Sequence, residues 1–315
     1  MIGHIILRRT ASALAGLVVA SVVIFLALSV LGGDAATVVL GDQATQENIT
    51  ALRQRFGLDV SPPEQYLRWM KGMVTGDLGR SHLTGAPVGP ELRRRLPVTL
   101  PLTLLGLSIA LLIALPAGLY SAVRHQRASG ALISAGSQVG MAIPVFWAAL
   151  MLSSFFAVRV GWFPSGGFVP WSESVPGALE SLVLPAVSLG IIQAAIFTRY
   201  VRSAILDVMR SDYIQMARAT GLTWTQSLWR HGLRNAAIPL VTVVGLQFGV
   251  LLGGTIIIEN VFYLPGLGSM IVGAVNQRDL IVVQSVTLVL TAIIVATNLA
   301  TDLSYRFLDP RLRSQ

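Results

Sequence analysis

The stretch Ser211–Pro239 reads SDYIQMARATGLTWTQSLWRHGLRNAAIP and is the longest polar interruption in the apolar second half of the chain. Ser211 can cap a helix whose first turn holds Asp212, where a carboxylate suits the positive end of the helix dipole. Gly221 stands where a left-handed residue would end that helix, because glycine adopts positive φ without a Cβ penalty. The stretch therefore predicts a short helix over residues 213–220.

A second helix is predicted directly after Gly221. Thr223 and Gln226 have the spacing of a capping box, in which each residue satisfies a free backbone N–H of the other. The helix that they start carries Arg230, His231 and Arg234 and runs into the next apolar run after Asn235. A short capped helix between two hydrophobic spans follows from this pattern, and the alternative is a plain polar linker.

Composition indicates a membrane protein. The 315 residues are 53% hydrophobic and 12% charged, about half the charge of an ordinary soluble domain. Uncharged apolar runs longer than about 18 residues are typical of transmembrane helices. The first span, with the amino terminus, is placed within 1–31, and the others at 97–123, 131–158, 181–203, 237–258 and 280–305, with a loop at 204–236. The sequence thus predicts an all-α polytopic protein with six spans, of which 97–315 holds five.

Several function classes are excluded by residues that the chain lacks. Cysteine is absent, which excludes disulfides and thiol chemistry. The single lysine, Lys71, is followed by Gly72 rather than lying in a Gly-Lys-Ser/Thr loop, so no phosphate-binding loop is present. The four histidines are scattered without ligand spacing, and we expect no metal site, bound cofactor or catalytic group in this chain. The net charge of +8 comes from arginines that flank apolar spans, a placement that argues against nucleic acid.

The first span has two interpretations. Arg8 and Arg9 precede an uncharged run over 10–31, as they would in a signal peptide. That run is longer than the 7–15 residues of a signal core, and Gly32–Asp34 is a poor cleavage context, so a retained helix is favoured.

The polar segment 32–96 contains two amphipathic helix patterns. One runs over 46–56 and can end at Gly57. The other starts at Ser61, where Glu64 would complete a capping box. These helices are expected to lie against the membrane surface or another subunit.

Arginine placement predicts the orientation. With the amino terminus inside, thirteen arginines fall in short inner segments and two in short outer ones. Arg93–Arg95 beside the second span count against this orientation, but the ratio favours cytoplasmic termini, a cytoplasmic 204–236 loop and an external 32–96 segment.

The stretch at 211–239 resembles the cytoplasmic coupling loop of ATP-binding-cassette (ABC) importer permeases. Ala217 and Gly221 fit the general Glu-Ala-Ala-x-x-x-Gly pattern, whereas Gln215 and Met216 depart from it. Residues 259–268, ENVFYLPGLG, strongly resemble the Glu-x-Val-Phe-x-x-Pro-Gly-x-Gly signature of the peptide/nickel branch. The segments Gly76–Ser81, Arg278–Asp279 and Asp302–Arg311 match that branch as well.

The resemblance covers nearly the whole chain and implies the B-type permease subunit of a dipeptide, oligopeptide or nickel importer, with the type I ABC importer permease fold. It implies a second homologous permease, two ATPase subunits that bind ATP and Mg²⁺, an extracytoplasmic binding protein, and a location in a prokaryotic plasma membrane. The residues implied to couple to the ATPases are Asp212, Tyr213, Gln215, Ala217, Arg218, Gly221 and Leu222. A gating or structural role is implied for Glu259, Pro265, Gly266 and Gly268.

Alternatives remain at this point. A nickel-complex or glutathione importer of the same family would share these motifs. An ion-gradient-driven secondary transporter would need intramembrane acidic relays and inverted repeats, whereas the sequence offers only Glu259 at the end of a span, and this residue has an alternative role as an interfacial turn cap.

The absence of a phosphate-binding loop gives a direct prediction. The purified chain, freed of ATPase subunits, should not hydrolyse ATP, because nothing in it can cradle the phosphates. A phosphate-release assay on the isolated polypeptide tests this, and stoichiometric turnover would contradict it.

Overall fold

The structure is a computed structural model that describes residues 2–31, 37, 40 and 45–308. The matched segment Asp309–Arg311 and the cleavage context at Gly32–Asp34 lie outside the described residues. The helices are α1 (Ile2–Leu31), α2 (Gln46–Phe56), α3 (Pro62–Thr75), α4 (Val88–Val123), α5 (Ala128–Ala142), α6 (Val145–Leu152), α7 (Val175–Met209), α8 (Asp212–Ala219), α9 (Trp224–Ser227), α10 (Leu233–Val261), α11 (Leu267–Asn276) and α12 (Leu280–Leu308). Two π-helical segments, Ser153–Arg159 and Leu228–Gly232, follow α6 and α9. No strand occurs among the described residues.

Five helical stretches are long and apolar enough to cross a membrane. They are Leu7–Val30, Val88–Val123, Val175–Met209, Trp224–Val261 and Leu280–Ser304. A bent pair of shorter helices, Ala128–Ala142 and Val145–Arg159, makes a sixth if it is taken as one span. The prediction of an all-α protein with six apolar spans is therefore confirmed.

The third span is not the straight helix expected over 131–158. Its two halves meet at an angle of 98° between α5 and α6. Pro144 lacks a backbone N–H and restricts Ile143 to extended conformations, and Ile143 indeed has φ −79° and ψ 123°. Pro101, Pro116 and Pro185 lie within continuous helices, so the predicted tolerance of proline is wrong only at Pro144.

Helix bounds differ from the predicted bounds in the second half of the chain. The predicted fourth span, 181–203, lies within a longer helix, α7, which begins at Val175 and ends at Met209. The predicted loop 204–236 is mostly helical, because only residues 210–211 and 220–223 lie outside helical segments. The helix α11 was not predicted.

The chain forms two compact units. Of the described residues, the first unit comprises 2–9, 100–264 and 297–308, and the second comprises those within 10–99 and 265–296. Helix α7 is the most buried candidate span, with 67% of its apolar window inside the protein.

Small residues bring α4 and α7 together within the first unit. A Cβ added at Gly190 would lie 2.7 Å from Ile109 Cγ2 and 3.0 Å from the carbonyl oxygen of Gly106. A Cβ added at Gly118 would lie 2.6 Å from the Val201 side chain. Close approach at small residues is the main source of packing between helices in a membrane, where the hydrophobic effect does not drive them together.

The second unit contains both predicted amphipathic helices. Gly57 has φ +68° and ends α2, as predicted, and Gly76 and Gly79 take positive φ in the turn after α3. The predicted capping box at Ser61 is wrong in detail, because the Ser61 hydroxyl makes no capping hydrogen bond. Pro62 at the first helical position nevertheless favours a helix start there.

Long-range polar contacts hold the second unit together. The buried carboxylate of Asp279 accepts hydrogen bonds from the Ser81 hydroxyl and, at 3.3 Å, from the His82 N–H. The Ser285 hydroxyl donates to the Leu78 carbonyl at 2.8 Å. The turn after α3 is therefore fixed to the beginning of α12.

His82 makes this attachment sensitive to pH. Burial lowers the pKa of His82 below its ordinary value of 6.5, and nearby Asp279 opposes that shift. The neutral imidazole is thus favoured in the packed state, so its stabilising contribution is complete above pH 6.5 and is lost as pH falls from 6.5 through the lowered pKa.

We expect lowering the pH from 7.5 to 5.5 to increase hydrogen exchange in residues 77–87, after correction for the intrinsic exchange rate. The variant His82→Gln, which cannot be protonated in this range, should lose most of this pH dependence. Equal pH dependence in both proteins would show that another group is responsible.

Candidate functional site

The candidate site is the helical hairpin that joins α7 to α10. Helix α7 ends at Met209, α8 runs over Asp212–Ala219, and α9 starts at Trp224. The short helix predicted over 213–220 is therefore confirmed to within one residue. We call residues 210–232 the coupling hairpin, after the coupling loop that the sequence of this stretch resembles.

Two caps define the hairpin, and they form differently. The Thr223 hydroxyl accepts from the Gln226 N–H, and the Gln226 side chain accepts from the Thr223 N–H, so the predicted capping box is present. Ser211 occupies the predicted N-cap position, but its hydroxyl donates to the Val208 carbonyl at 2.5 Å instead of capping α8.

Gly221 has the predicted left-handed conformation, with φ +99°. Its N–H donates to the Arg218 carbonyl at 2.9 Å, and the next N–H, of Leu222, donates to the Ala217 carbonyl at 3.3 Å. Gly221 lies two residues beyond the end of α8, so it does not share a helical face with Ala217. A Cβ at Gly221 would meet no atom within 4 Å, so only the backbone conformation disfavours other residues there.

Side-chain contacts join the hairpin to itself and to α10. The Arg218 guanidinium lies 3.9 Å from the centroid of the Trp224 ring, a cation–π contact that closes the turn between α8 and α9. The Tyr213 hydroxyl accepts from the Asn235 side-chain amide at 2.9 Å. The Gln215 amide donates to the Arg210 carbonyl at 3.1 Å. The exposed helix α8 is thus held at both ends.

Ile214 anchors the inner face of α8. Its side chain is completely buried. A Cβ added at Gly232 would lie 2.7 Å from Leu228, 2.9 Å from Val208 and 3.5 Å from the Ile214 side chain, so these groups already fill the space around Gly232. Ile214 therefore packs between the end of α7 and the π-helical segment.

A hydrophobic cluster continues from this contact into the spans. Its buried members are Ala122 of α4, Val201, Ile205 and Met209 of α7, Leu228 of the π-helical segment and Ala236 of α10. The cluster thus joins α4, α7, the π-helical segment and α10, and Leu228 together with Val208, which packs against the cluster, also lies beside Gly232 near Ile214.

The outer face of α8 is open. Asp212, Tyr213, Gln215 and Met216 are exposed, as is Arg218. Ala217 and Leu222 are half-buried. All seven residues implied to couple to the ATPases lie on this hairpin.

Glu259 lies in the last turn of α10, in the first unit, away from the coupling hairpin in sequence. Glu259 is fully buried, with 0% of its surface exposed. Its carbonyl oxygen accepts from the Leu264 N–H at 2.8 Å and so takes part in the turn that ends the helix. A buried carboxylate at the end of a span remains a candidate for function.

Pro265, Gly266 and Gly268 belong to the second unit. Arg95 donates to the Gly266 carbonyl at 3.3 Å and to the Ser269 hydroxyl at 3.1 Å. Gly266 and Gly268 are buried, whereas Pro265 is exposed. These contacts fix the start of α11.

The coupling hairpin presents mostly exposed polar side chains on α8. Among the described residues, no group of three or more histidine, aspartate or glutamate side chains could hold a metal ion. Sequence reasoning did not select Ile214, Gly232 or Asn235. An apolar residue between polar neighbours was the only sequence signal for Ile214, and Asn235 carried none.

Two family models match the chain. The model for the binding-protein-dependent transport system inner membrane component matches residues 114–314, and the model for the N-terminal part of such components matches residues 1–103.

Curated proteins of the same length are similar to the chain. A putative peptide transport system permease protein of Brucella melitensis is 37% identical over 313 residues, covering 99% of both chains. The oligopeptide transport system permease AppB of Bacillus subtilis is 36% identical and the glutathione transport system permease GsiC of Escherichia coli is 35% identical, each covering 98% of both chains.

A solved structure shares the fold. A chain of the MetNI methionine ABC transporter in an inward-facing conformation superposes with a TM-score of 0.58 at 22% sequence identity. The match covers 70% of this chain and 96% of that one.

Proposed function

We propose a function for this chain on the basis of its family. The chain belongs to the binding-protein-dependent transport system inner membrane components. It is a multi-pass permease subunit of an ABC importer in the inner membrane of a prokaryote. Peptides are its substrate class. The observation that carries this proposal is the match to peptide permeases over 98–99% of the chain.

The peptide assignment is favoured over the alternatives within the family. The similar proteins are described as peptide, oligopeptide and glutathione permeases. Glutathione is itself a small peptide, so all three descriptions agree on amide-linked substrates with free carboxylates. None of the relatives named above is described as a nickel permease.

The partners follow from the family. An ABC importer permease works with ATPase and substrate-binding partners, and the chain itself is a transport subunit. We propose that it pairs with one homologous permease and two ATPases, that ATP and Mg²⁺ bind to those ATPases, and that this chain catalyses no reaction. An extracytoplasmic protein would deliver the peptide.

The coupling hairpin is the proposed contact with the ATPases. Its outer face is open, and on its inner face the buried Ile214 lies near Leu228 and Val208, which belong to or pack against the cluster that includes α4, α7 and α10. Closure of the ATPases would push α8, and the cluster would pass that displacement to three spans, giving alternating access. A secondary transporter has no ATPase subunits, so it would not need a short helix of this kind with an exposed face toward the cytoplasm.

We expect Gly221→Val and Ala217→Trp to reduce peptide uptake at least tenfold at matched membrane abundance. Valine at positive φ costs about 1 to 2 kcal/mol and would move the end of α8. Tryptophan at Ala217 would add bulk where the ATPase surface approaches. Uptake into vesicles that contain the complete transporter and binding protein measures the effect.

Gly76→Val is the matched control. Gly76 also ends a helix at positive φ, and a Cβ there also meets no atom within 4 Å. This variant should retain most of the uptake, since it adds the same strain away from the coupling hairpin. Wild-type uptake in both hairpin variants would remove the coupling role from residues 210–232.

We expect reporters fused after Arg127, at Thr220 and at the carboxyl terminus to be cytoplasmic. Reporters within 40–90 and near Ser172 should be external, because the short arginine-rich segments face inward. Enzymatic reporters that are active on one side of the membrane measure this. An external reading at Thr220 would place the hairpin out of reach of an ATPase.

A further inference from the structure

The second unit contains a partly open cavity that none of the assigned roles uses. Its volume is 540 Å³. The walls are the end of α1, the end of α2, one face of α3, the turn after α3 and the first turn of α12. The cavity is therefore assembled from segments that are distant in sequence.

Three side chains that line the cavity contain buried nitrogen atoms without a hydrogen-bond partner. They are Trp69 Nε1, Gln284 Nε2 and His82 Nδ1. Trp69 and Gln284 are each only 8% exposed. A buried donor without a partner is uncommon in native proteins and costs about 1 to 3 kcal/mol.

Two of these groups can donate only. An indole N–H and an amide NH₂ need oxygen acceptors. The ring of His82 is fixed by stacking on Phe56, with centroids 4.2 Å apart. These unpartnered nitrogen atoms therefore favour a ligand that is rich in acceptor oxygens.

The rest of the lining is amphipathic. Phe25, Leu28, Leu280 and Ile281 form apolar wall, together with Phe56. Arg53, Arg68 and Asp77 are the charged residues on the lining, and Arg68 also donates to Glu64 at 2.6 Å. A guanidinium has five N–H donors, so Arg68 can hold this carboxylate and a phosphate oxygen together.

An apolar stripe on α1 leads away from the cavity. Leu14, Val18, Val22 and Leu26 follow one another at intervals of four residues and are all exposed. The stripe spans about 18 Å at 1.5 Å per residue. That length is close to the roughly 15 Å of hydrocarbon in one bilayer leaflet.

We propose that the cavity binds the phosphate and glycerol-ester region of one phospholipid, whose acyl chains lie along the α1 stripe. Phosphate and ester oxygens would accept hydrogen bonds from Trp69 and Gln284, and the arginines at the cavity would contact the phosphate. A bound lipid would thereby join α1 to α2, α3 and α12. This proposal does not depend on the nature of the transported substrate.

A membrane lipid fits the site better than a soluble phosphate compound. Most of the named walls are apolar, and a soluble anion would leave both these walls and the α1 stripe without a partner. The cavity lining contains two arginines and one aspartate, Asp77. Arg68 is already paired with Glu64, so the net positive charge that could attract a free anion is small. Binding by the phosphate alone would therefore be weak.

Native mass spectrometry of the complete transporter in mild detergent tests the proposal. The wild-type complex should retain one phospholipid that depends on this chain. Trp69→Phe keeps the aromatic ring but removes the donor, and Gln284→Leu removes the amide. Each variant should weaken retention about tenfold, as expected for loss of one buried hydrogen bond to a charged acceptor.

Trp162→Phe is the matched control, because it removes an indole N–H from an exposed tryptophan outside the cavity. It should leave lipid retention unchanged. Leu28→Trp fills the cavity from the α1 wall without altering either donor and should also release the lipid, which covers the case in which a donor variant fails to fold.

Titration of delipidated complex with phosphatidylglycerol and with glycerol 3-phosphate separates the two sources of phosphate. Saturation by the lipid alone supports the proposal. Equal binding of glycerol 3-phosphate, equal lipid retention in all variants, or no retained lipid in the wild type would overturn it. None of these outcomes bears on peptide uptake, so the proposed transport function is tested separately.

Discussion

The close crossing of α4 and α7 is the constraint on which the first unit depends. Gly190 lies against Ile109 and the Gly106 carbonyl at distances that leave no room for a Cβ. In a bilayer the surrounding lipid is as apolar as the helix surfaces, so contact of this kind must provide the attraction between helices. Helix α7 also packs against α5, α6 and α10, is buried along most of its length and leads directly into the coupling hairpin.

The coupling hairpin is attached firmly to the end of α7. A polar linker between spans would need no buried residue, yet Ile214 is completely buried and shares the space around Gly232 with Val208 and Leu228. The Arg218–Trp224 and Tyr213–Asn235 contacts then restrict the exposed side of α8. Helix α8 therefore has an exposed outer face and a packed inner face. This arrangement suits a helix that binds a partner and transmits its movement, as proposed above.

The second unit is held together by long-range polar contacts. Its elements come from both ends of the chain, and a buried carboxylate joins them: Ser81 and Asp279 are 198 residues apart in sequence. A buried charge is stable only when it is hydrogen-bonded, so the pairing selects one arrangement of the turn after α3 on α12. The cavity beside it, with its unpartnered donors, is the least satisfied part of this otherwise well-bonded unit.

Local chemistry explains what the sequence determined by itself. Spans follow from runs of apolar residues, and the left-handed Gly221 and the Thr223–Gln226 capping box follow from dihedral preferences and hydrogen bonds within four residues. The tertiary structure decided the burial of Ile214, the direction of the Ser211 hydroxyl and the contact between Ser81 and Asp279. The reason is that each of these depends on a neighbour that folding brings close, whereas a cap or a hydrophobic run carries its own partners in the adjacent sequence.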